Sequence, residues 1–213
     1  MPDIAVIDYG VGNLLSVRRG FEHCGARVTV TGDPGAIRAA RRVVLPGVGA
    51  FANAMAELRR RGLDEVVHDV AARGTPFLGI CLGMQMLLDE SEEFGPTPGL
   101  GLIAGKVTPV PATTAAGQPQ KIPHIGWNIL VPSSADTDWR HTPMADVLPG
   151  EAAYFVHSFM ASPANASDRL ADCHYGQQPI SAAIGRNNVF GCQFHPEKSG
   201  SVGLKILKSF MSL

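Results

Sequence analysis

Residues 79–85 read Gly-Ile-Cys-Leu-Gly-Met-Gln, which places Cys81 two positions from a glycine on either side. A strand that stops, turns sharply and feeds a helix holds its turn residue in a strained conformation, and its neighbours must be small where backbones pass closely. Gly79 and Gly83 meet that demand. The stretch Leu82–Leu88 then reads as a helix. Its unpaired N–H groups and partial positive charge would face the sulfur and favour the thiolate, which is the nucleophile. Outside such a turn a free cysteine is commonly a small buried hydrophobe. Cys24, Cys173 and Cys192 lack this setting and are expected in the core or at the surface.

A thiolate nucleophile needs a proton partner, and that partner needs an orienting group. Residues 191–200 read GCQFHPEKSG, an apolar run that ends in His195, Pro196 and Glu197. His195 can shuttle a proton while Glu197 sets its tautomer. Among the other histidines, His23, His68, His141 and His174 lie in polar surroundings and are expected in solvent, whereas His124 and His157 sit in apolar stretches and stay unassigned. A third component is the turn in Leu45–Phe51 (LPGVGAF), where glycines let backbone N–H groups approach a carbonyl oxygen. Taken alone, that turn is equally a plain strand–helix connection.

Elements must carry these residues to one place. Residues 4–7, 42–45, 77–80 and 189–192 are apolar almost throughout, as strands buried on both faces are. Apolar residues recur at helical spacing over 13–24, 50–61 and 202–210. The expected fold is α/β: an open, largely parallel central sheet flanked by helices, with antiparallel additions from strands at 102–110, 125–131, 153–159 and 180–184. Loops are expected at 111–120, 132–143 and 161–169, and the 213 residues are read as a single domain, since no linker or repeat divides them.

Composition excludes several classes. Hydrophobic residues make up 45% and charged residues 17%, ordinary globular values that argue against disorder. A formal charge of −1 suits neither nucleic acid nor an anionic membrane surface. No apolar run approaches the ~20 residues of a membrane span, and no signal-peptide pattern opens the sequence, so a cytoplasmic setting is expected. The four cysteines form no CxxC pair, so neither a metal site nor a disulfide framework is expected. Gly10-Val11-Gly12 lacks the third glycine of a dinucleotide fingerprint.

The glycine turn, Gly-x-Cys-x-Gly-x-Gln and His-Pro-Glu, in this order and over nearly the whole chain, resemble the class I (triad) glutamine amidotransferases. Within that family, DYGVGNLLSV (8–17), PGVGAF (46–51), KIPHIGWN (121–128), YFVHSF (154–159) and QFHPEKSG (193–200) are similar to a glutaminase subfamily of histidine biosynthesis. The glutaminase of anthranilate synthase is the nearest competitor. It usually carries Pro-Gly-Pro-Gly, has His where Met84 stands, and lacks the His-Ile-Gly-Trp-Asn element.

The resemblance implies a Cys81–His195–Glu197 triad that hydrolyses glutamine through a glutamyl thioester without a cofactor. It implies an oxyanion hole from Gly49 and Leu82, and glutamine contacts from Gly47, Gln85, Ser158 and Phe159. The implied partner is a (β/α)8-barrel cyclase subunit, which takes the ammonia and forms imidazole glycerol phosphate and an aminoimidazole carboxamide ribotide. Asn13, Trp127 and Lys198 are the expected interface residues. Val48 is expected to restrain the turn, so that partner binding reorients the Val48–Gly49 peptide. Two rivals are a peptidase-like cysteine hydrolase, which usually has His directly after the nucleophile where this chain has Leu82, and a binding module that has lost its chemistry.

Overall fold

A computed structural model describes residues 3–213. The apolar runs form strands β1 (Ile4–Ile7), β3 (Arg42–Gly47) and β4 (Phe77–Cys81), joined by β2 (Val28–Thr31) and the strand Val189–Cys192. These five are parallel, in the order β2, β1, β3, β4, Val189–Cys192. Three antiparallel strands, Gln178–Arg186, Arg169–Tyr175 and Val131–Pro132, extend the sheet.

Both faces of the sheet are covered, which is why its strands are apolar without alternation. Ile4 and Val6 of β1 enter one core with Val17, Phe21, Ile206 and Phe210, from helices α1 (Leu14–His23) and α6 (Gly200–Met211). Ala5 and Ile7 enter the other with Ile37, Met55, Leu58 and Val66, from α2 (Pro34–Arg38), α3 (Phe51–Arg60) and α4 (Leu63–Ala72). Each fully buried large side chain contributes roughly 1.5–3 kcal/mol of transfer free energy, so the two cores anchor the sheet.

The topology decides where chemistry can occur. β3, β4 and Val189–Cys192 are parallel neighbours, with Gly47 opposite Cys81 and Cys192 opposite Ile80. The glycine turn, the cysteine turn and the Gln193–Glu197 segment therefore leave the sheet at the same edge, the carboxyl ends where open α/β sheets bind ligands.

Several expectations are corrected. The helix expected over 82–88 is the single turn α5 (Leu82–Gln85). It stops there because the carbonyls of Met86, Leu87 and Leu88 accept N–H groups from Leu100–Ile103 instead. The strand expected over 153–159 breaks at Ser158 into Ala152–His157, paired with His124–Ile129, and Phe159–Pro163, paired with Gly105–Pro109. Part of the loop expected over 161–169 is thus strand, and the strand expected over 102–110 is shorter. The strand expected over 125–131 divides into His124–Ile129 and Val131–Pro132, which belong to different sheets. Among the described residues no helix is long and apolar enough to cross a membrane.

Candidate active site

Cys81 is the last residue of β4 and has φ +56° and ψ −113°, in a region that L-residues with a side chain rarely occupy. Close approach explains the flanking glycines. A Cβ on Gly79 would lie 2.6 Å from the Gly83 carbonyl oxygen, and one on Gly83 would run into the Leu45 carbonyl of β3. A Cβ on Gly47 would meet both the Gly83 nitrogen and the Tyr9 hydroxyl at 2.9 Å. That hydroxyl donates to the Pro46 carbonyl, also at 2.9 Å, and so pins the glycine turn from β1's side. Leu82, first in α5, has an N–H with no intrahelical acceptor. Gly49 has φ +89°, which favours glycine there.

His195 and Glu197 follow the neighbouring strand. The Nδ1 of His195 lies 2.8 Å from Glu197 Oε1, and the side chains are 5% and 1% exposed. Ser199 fixes this segment: its hydroxyl donates to the His195 carbonyl at 2.7 Å and accepts the Tyr154 N–H at 3.0 Å. The His195 N–H donates to the Tyr154 carbonyl. Burial of the imidazole opposes its charged form, but Cys81 and Glu197 on its two sides outweigh that and raise His195 to about 9.

A cleft of about 320 Å³ lies over the cysteine turn, and its lining includes Cys81, Leu82, Gln85, Gly49, Ser158, Phe159, His195 and Lys198. Gly47 and Glu197 stand behind it, lining a small void with Asn13. The residues singled out in the sequence are thus brought together, with Trp127 outside the cleft. Trp127 is 59% exposed on the strand His124–Ile129, beside Tyr154. Asn13 precedes α1 but makes no side-chain cap bond, and Lys198 is exposed.

Three features went unseen in the sequence. Glu93 lines the cleft, and its Oε2 accepts the N–H of Phe51 at the start of α3. Gln193 lies beneath Cys81. His124 and His157 form a buried chain: His157 Nδ1–H donates to the Phe159 carbonyl at 2.8 Å, and His124 Nδ1–H donates to His157 Nε2 at 3.0 Å. Because a carbonyl only accepts, it fixes both tautomers. Burial lowers both rings, His157 to about 4, so both are neutral near pH 7. The surface histidines His23, His68, His141 and His174 are exposed as expected.

A strained cysteine at the end of one strand, with a histidine–glutamate pair after the next, defines a class. The chain belongs to the glutamine amidotransferase class-I family, which it matches over residues 5–212. It is 52% identical, over all of both chains, to "Imidazole glycerol phosphate synthase subunit HisH 1" of Legionella pneumophila (strain Lens). It is 49% identical to the subunit HisH of Thermosynechococcus vestitus, over all of this chain and 97% of that one. The fold is similar to that of PurLQS from Thermotoga maritima (TM-score 0.74, 20% identity, covering 100% of this chain and 99% of that one).

Proposed function

We propose that residues 1–213 act as one domain, the glutaminase subunit of an imidazole glycerol phosphate synthase in histidine biosynthesis. The observation that carries this reading is the His195–Glu197 pair, 2.8 Å apart, lining and backing the cleft that holds the strained Cys81. The full-length likeness to subunits of that synthase supplies the pathway.

In this mechanism the Cys81 thiolate attacks the side-chain amide carbon of glutamine. The N–H groups of Leu82 and Gly49 stabilise the resulting oxyanion. As the C–N bond breaks, the His195 imidazolium gives its proton to the leaving nitrogen, releasing ammonia and leaving a γ-glutamyl thioester. Neutral His195 then takes a proton from water, which attacks the thioester, and collapse releases glutamate and restores the thiolate. Glu197 holds the tautomer throughout. Gly47, Gln85, Ser158 and Phe159 position the glutamine, and no cofactor takes part.

The ammonia passes to a cyclase subunit with a (β/α)8 barrel. Support for a partner comes from the strand His124–Ile129, where Ile125, Trp127 and Ile129 are 53%, 59% and 48% exposed on one face. Such a stripe suits an interface core, with Asn13 and Lys198 as polar contacts. Val48, 41% exposed at the cleft, restrains the Val48–Gly49 peptide until the partner turns it.

The test is glutaminase rate for the chain alone, then with the cyclase and its nucleotide ligand. A large rise that Cys81→Ala abolishes is expected. A high basal rate indifferent to the cyclase would assign the chain to another amidotransferase assembly.

A further inference from the structure

Gln193 follows the strand Val189–Cys192 and is fully buried, with 0% exposure. Both ends of its amide are engaged. Oε1 accepts from Gln85 Nε2 at 2.9 Å, and Nε2 lies 3.7 Å from Cys81 Sγ as a donor. The network fixes this orientation. The Phe159 carbonyl can only accept, so Gln85 turns its NH2 group toward it, at 2.9 Å. The second N–H of that group goes to Gln193 Oε1, which turns the Gln193 NH2 group to the sulfur. The Gln193 backbone is held too, its N–H donating to the Ala182 carbonyl at 2.9 Å.

We infer that Gln193 is a catalytic residue, an N–H donor to the Cys81 sulfur that stabilises the thiolate before attack and again when the thioester collapses. A hydrogen bond to an ionised acceptor is stronger than one to its neutral form, so the bond favours thiolate over thiol. The inference rests on reading Cys81 as the nucleophile. It also gives Gln85 a second task, since the amide that faces the cleft aims the amide that faces the sulfur.

The ionisable groups around Cys81 are His195, Tyr9 after β1 and Cys192 on the adjacent strand, with Glu93, His157 and Lys198 bordering the same cleft. Glu197 reaches it through His195. None of these changes in the variants below.

The experiment is the alkylation rate of Cys81 by iodoacetamide in the full chain, resolved by peptide mass spectrometry so that Cys24 does not contribute. Gln193→Met removes the donor. Gln193→Glu keeps an acceptor for Gln85 but turns a carboxylate oxygen to the sulfur, and its shape is nearly unchanged. At pH 7 the rate is expected to fall about tenfold in Gln193→Met and further in Gln193→Glu. At pH 10, where thiols ionise without help, Gln193→Met should return to within about twofold of the parent, while Gln193→Glu, whose carboxylate still opposes the thiolate, stays lower. For glutamine hydrolysis with the cyclase, kcat of Gln193→Glu should fall with KM within about twofold, because Gln85 keeps its acceptor. Equal rates at pH 7 in the folded variants would overturn the inference, as would the same loss at both pH values in Gln193→Met, which would indicate access rather than ionisation. Alkylation needs neither glutamine nor partner, so it reads Gln193 even if the proposed glutaminase reaction fails. Conversely, Gln193 variants can match the parent while Cys81→Ala still abolishes glutaminase.

Discussion

His124 Nδ1 donates to His157 Nε2 over 3.0 Å, and the chain continues outward, where Asn128 Nδ2 lies 3.4 Å from His124 Nε2 and donates to the His174 carbonyl at 2.8 Å. A line of neutral donors and acceptors thus runs from the strand bearing Trp127 to the Phe159 carbonyl beside the cleft. Protonating His157 would break it, because Nε2 would then face the His124 donor with no lone pair, and protonating His124 would set its Nε2–H against the Asn128 NH2 donor.

This gives stability a definite pH dependence. His157, at about 4 in the fold, sits below its ordinary 6.5. The unfolded chain therefore binds the proton first as pH falls, and up to about 3 kcal/mol is lost between pH 6.5 and 4. His195, raised to about 9, acts in the opposite sense. Its contribution is full below 6.5 and is lost as pH rises to about 9. Urea unfolding from pH 4 to 10 should show a maximum between these limbs. His157→Gln should flatten the acid limb and Cys81→Ala the alkaline one. A parent curve flat from pH 4 to 6.5 would contradict the neutral pair.

Glu197→Gln keeps the size of the side chain but permits the wrong His195 tautomer. Glutaminase kcat with the cyclase should fall roughly 10²–10⁴-fold, and stability near pH 7 should drop because the protonated His195 loses one of its two buried partners. A loss under threefold would remove Glu197 from the mechanism.

Gly83→Ala drives a methyl into the Leu45 carbonyl, which cannot retreat because β3 is a central strand. A cost of about 2–4 kcal/mol is expected, together with loss of activity, as the turn shifts Cys81. Denaturant midpoints measure it, and an unaltered midpoint would show that the turn is loosely packed.

Trp127→Ala and Ile125→Ser change exposed side chains, so the isolated chain should keep its melting temperature within about 2 °C. Affinity for the cyclase should drop at least tenfold for Trp127→Ala, as for a buried interface aromatic. Calorimetric titration decides this, and parental affinity in both variants would place the partner elsewhere.

The strained cysteine turn and the His195–Glu197 pair were legible because local constraints left local marks: glycines two residues either side of Cys81, and His-Pro-Glu at a strand end. Helices α1, α3 and α6 were legible from their apolar spacing, and four strands from unbroken apolar runs. Less was visible where the cause lies far along the chain. Val28–Thr31 is partly exposed and alternates Val with Thr, so it lacks the buried-strand signature. The end of α5 depends on carbonyls taken by residues around 101, and the break at Ser158 on two separate sheets. Gln193 and Cys81 are 112 positions apart, and nothing near either in sequence announces their contact.

The Phe159 carbonyl accepts N–H groups from both Gln85 and His157, which uses both its lone pairs, and the Ser158 carbonyl already accepts from Val110. Toward the cleft this stretch can therefore offer mainly donors, and a donor-rich edge favours a carboxylate over an ammonium. The same cleft is bordered by Glu93, the one carboxylate among the described residues of its lining. For a zwitterionic amino acid these groups favour the α-carboxylate toward residue 159 and Lys198 and the α-ammonium toward residue 93. That polarity would let the pocket turn away amides without a free amino acid end, and Glu93→Gln should raise the KM for glutamine about tenfold while leaving Cys81 alkylation unchanged.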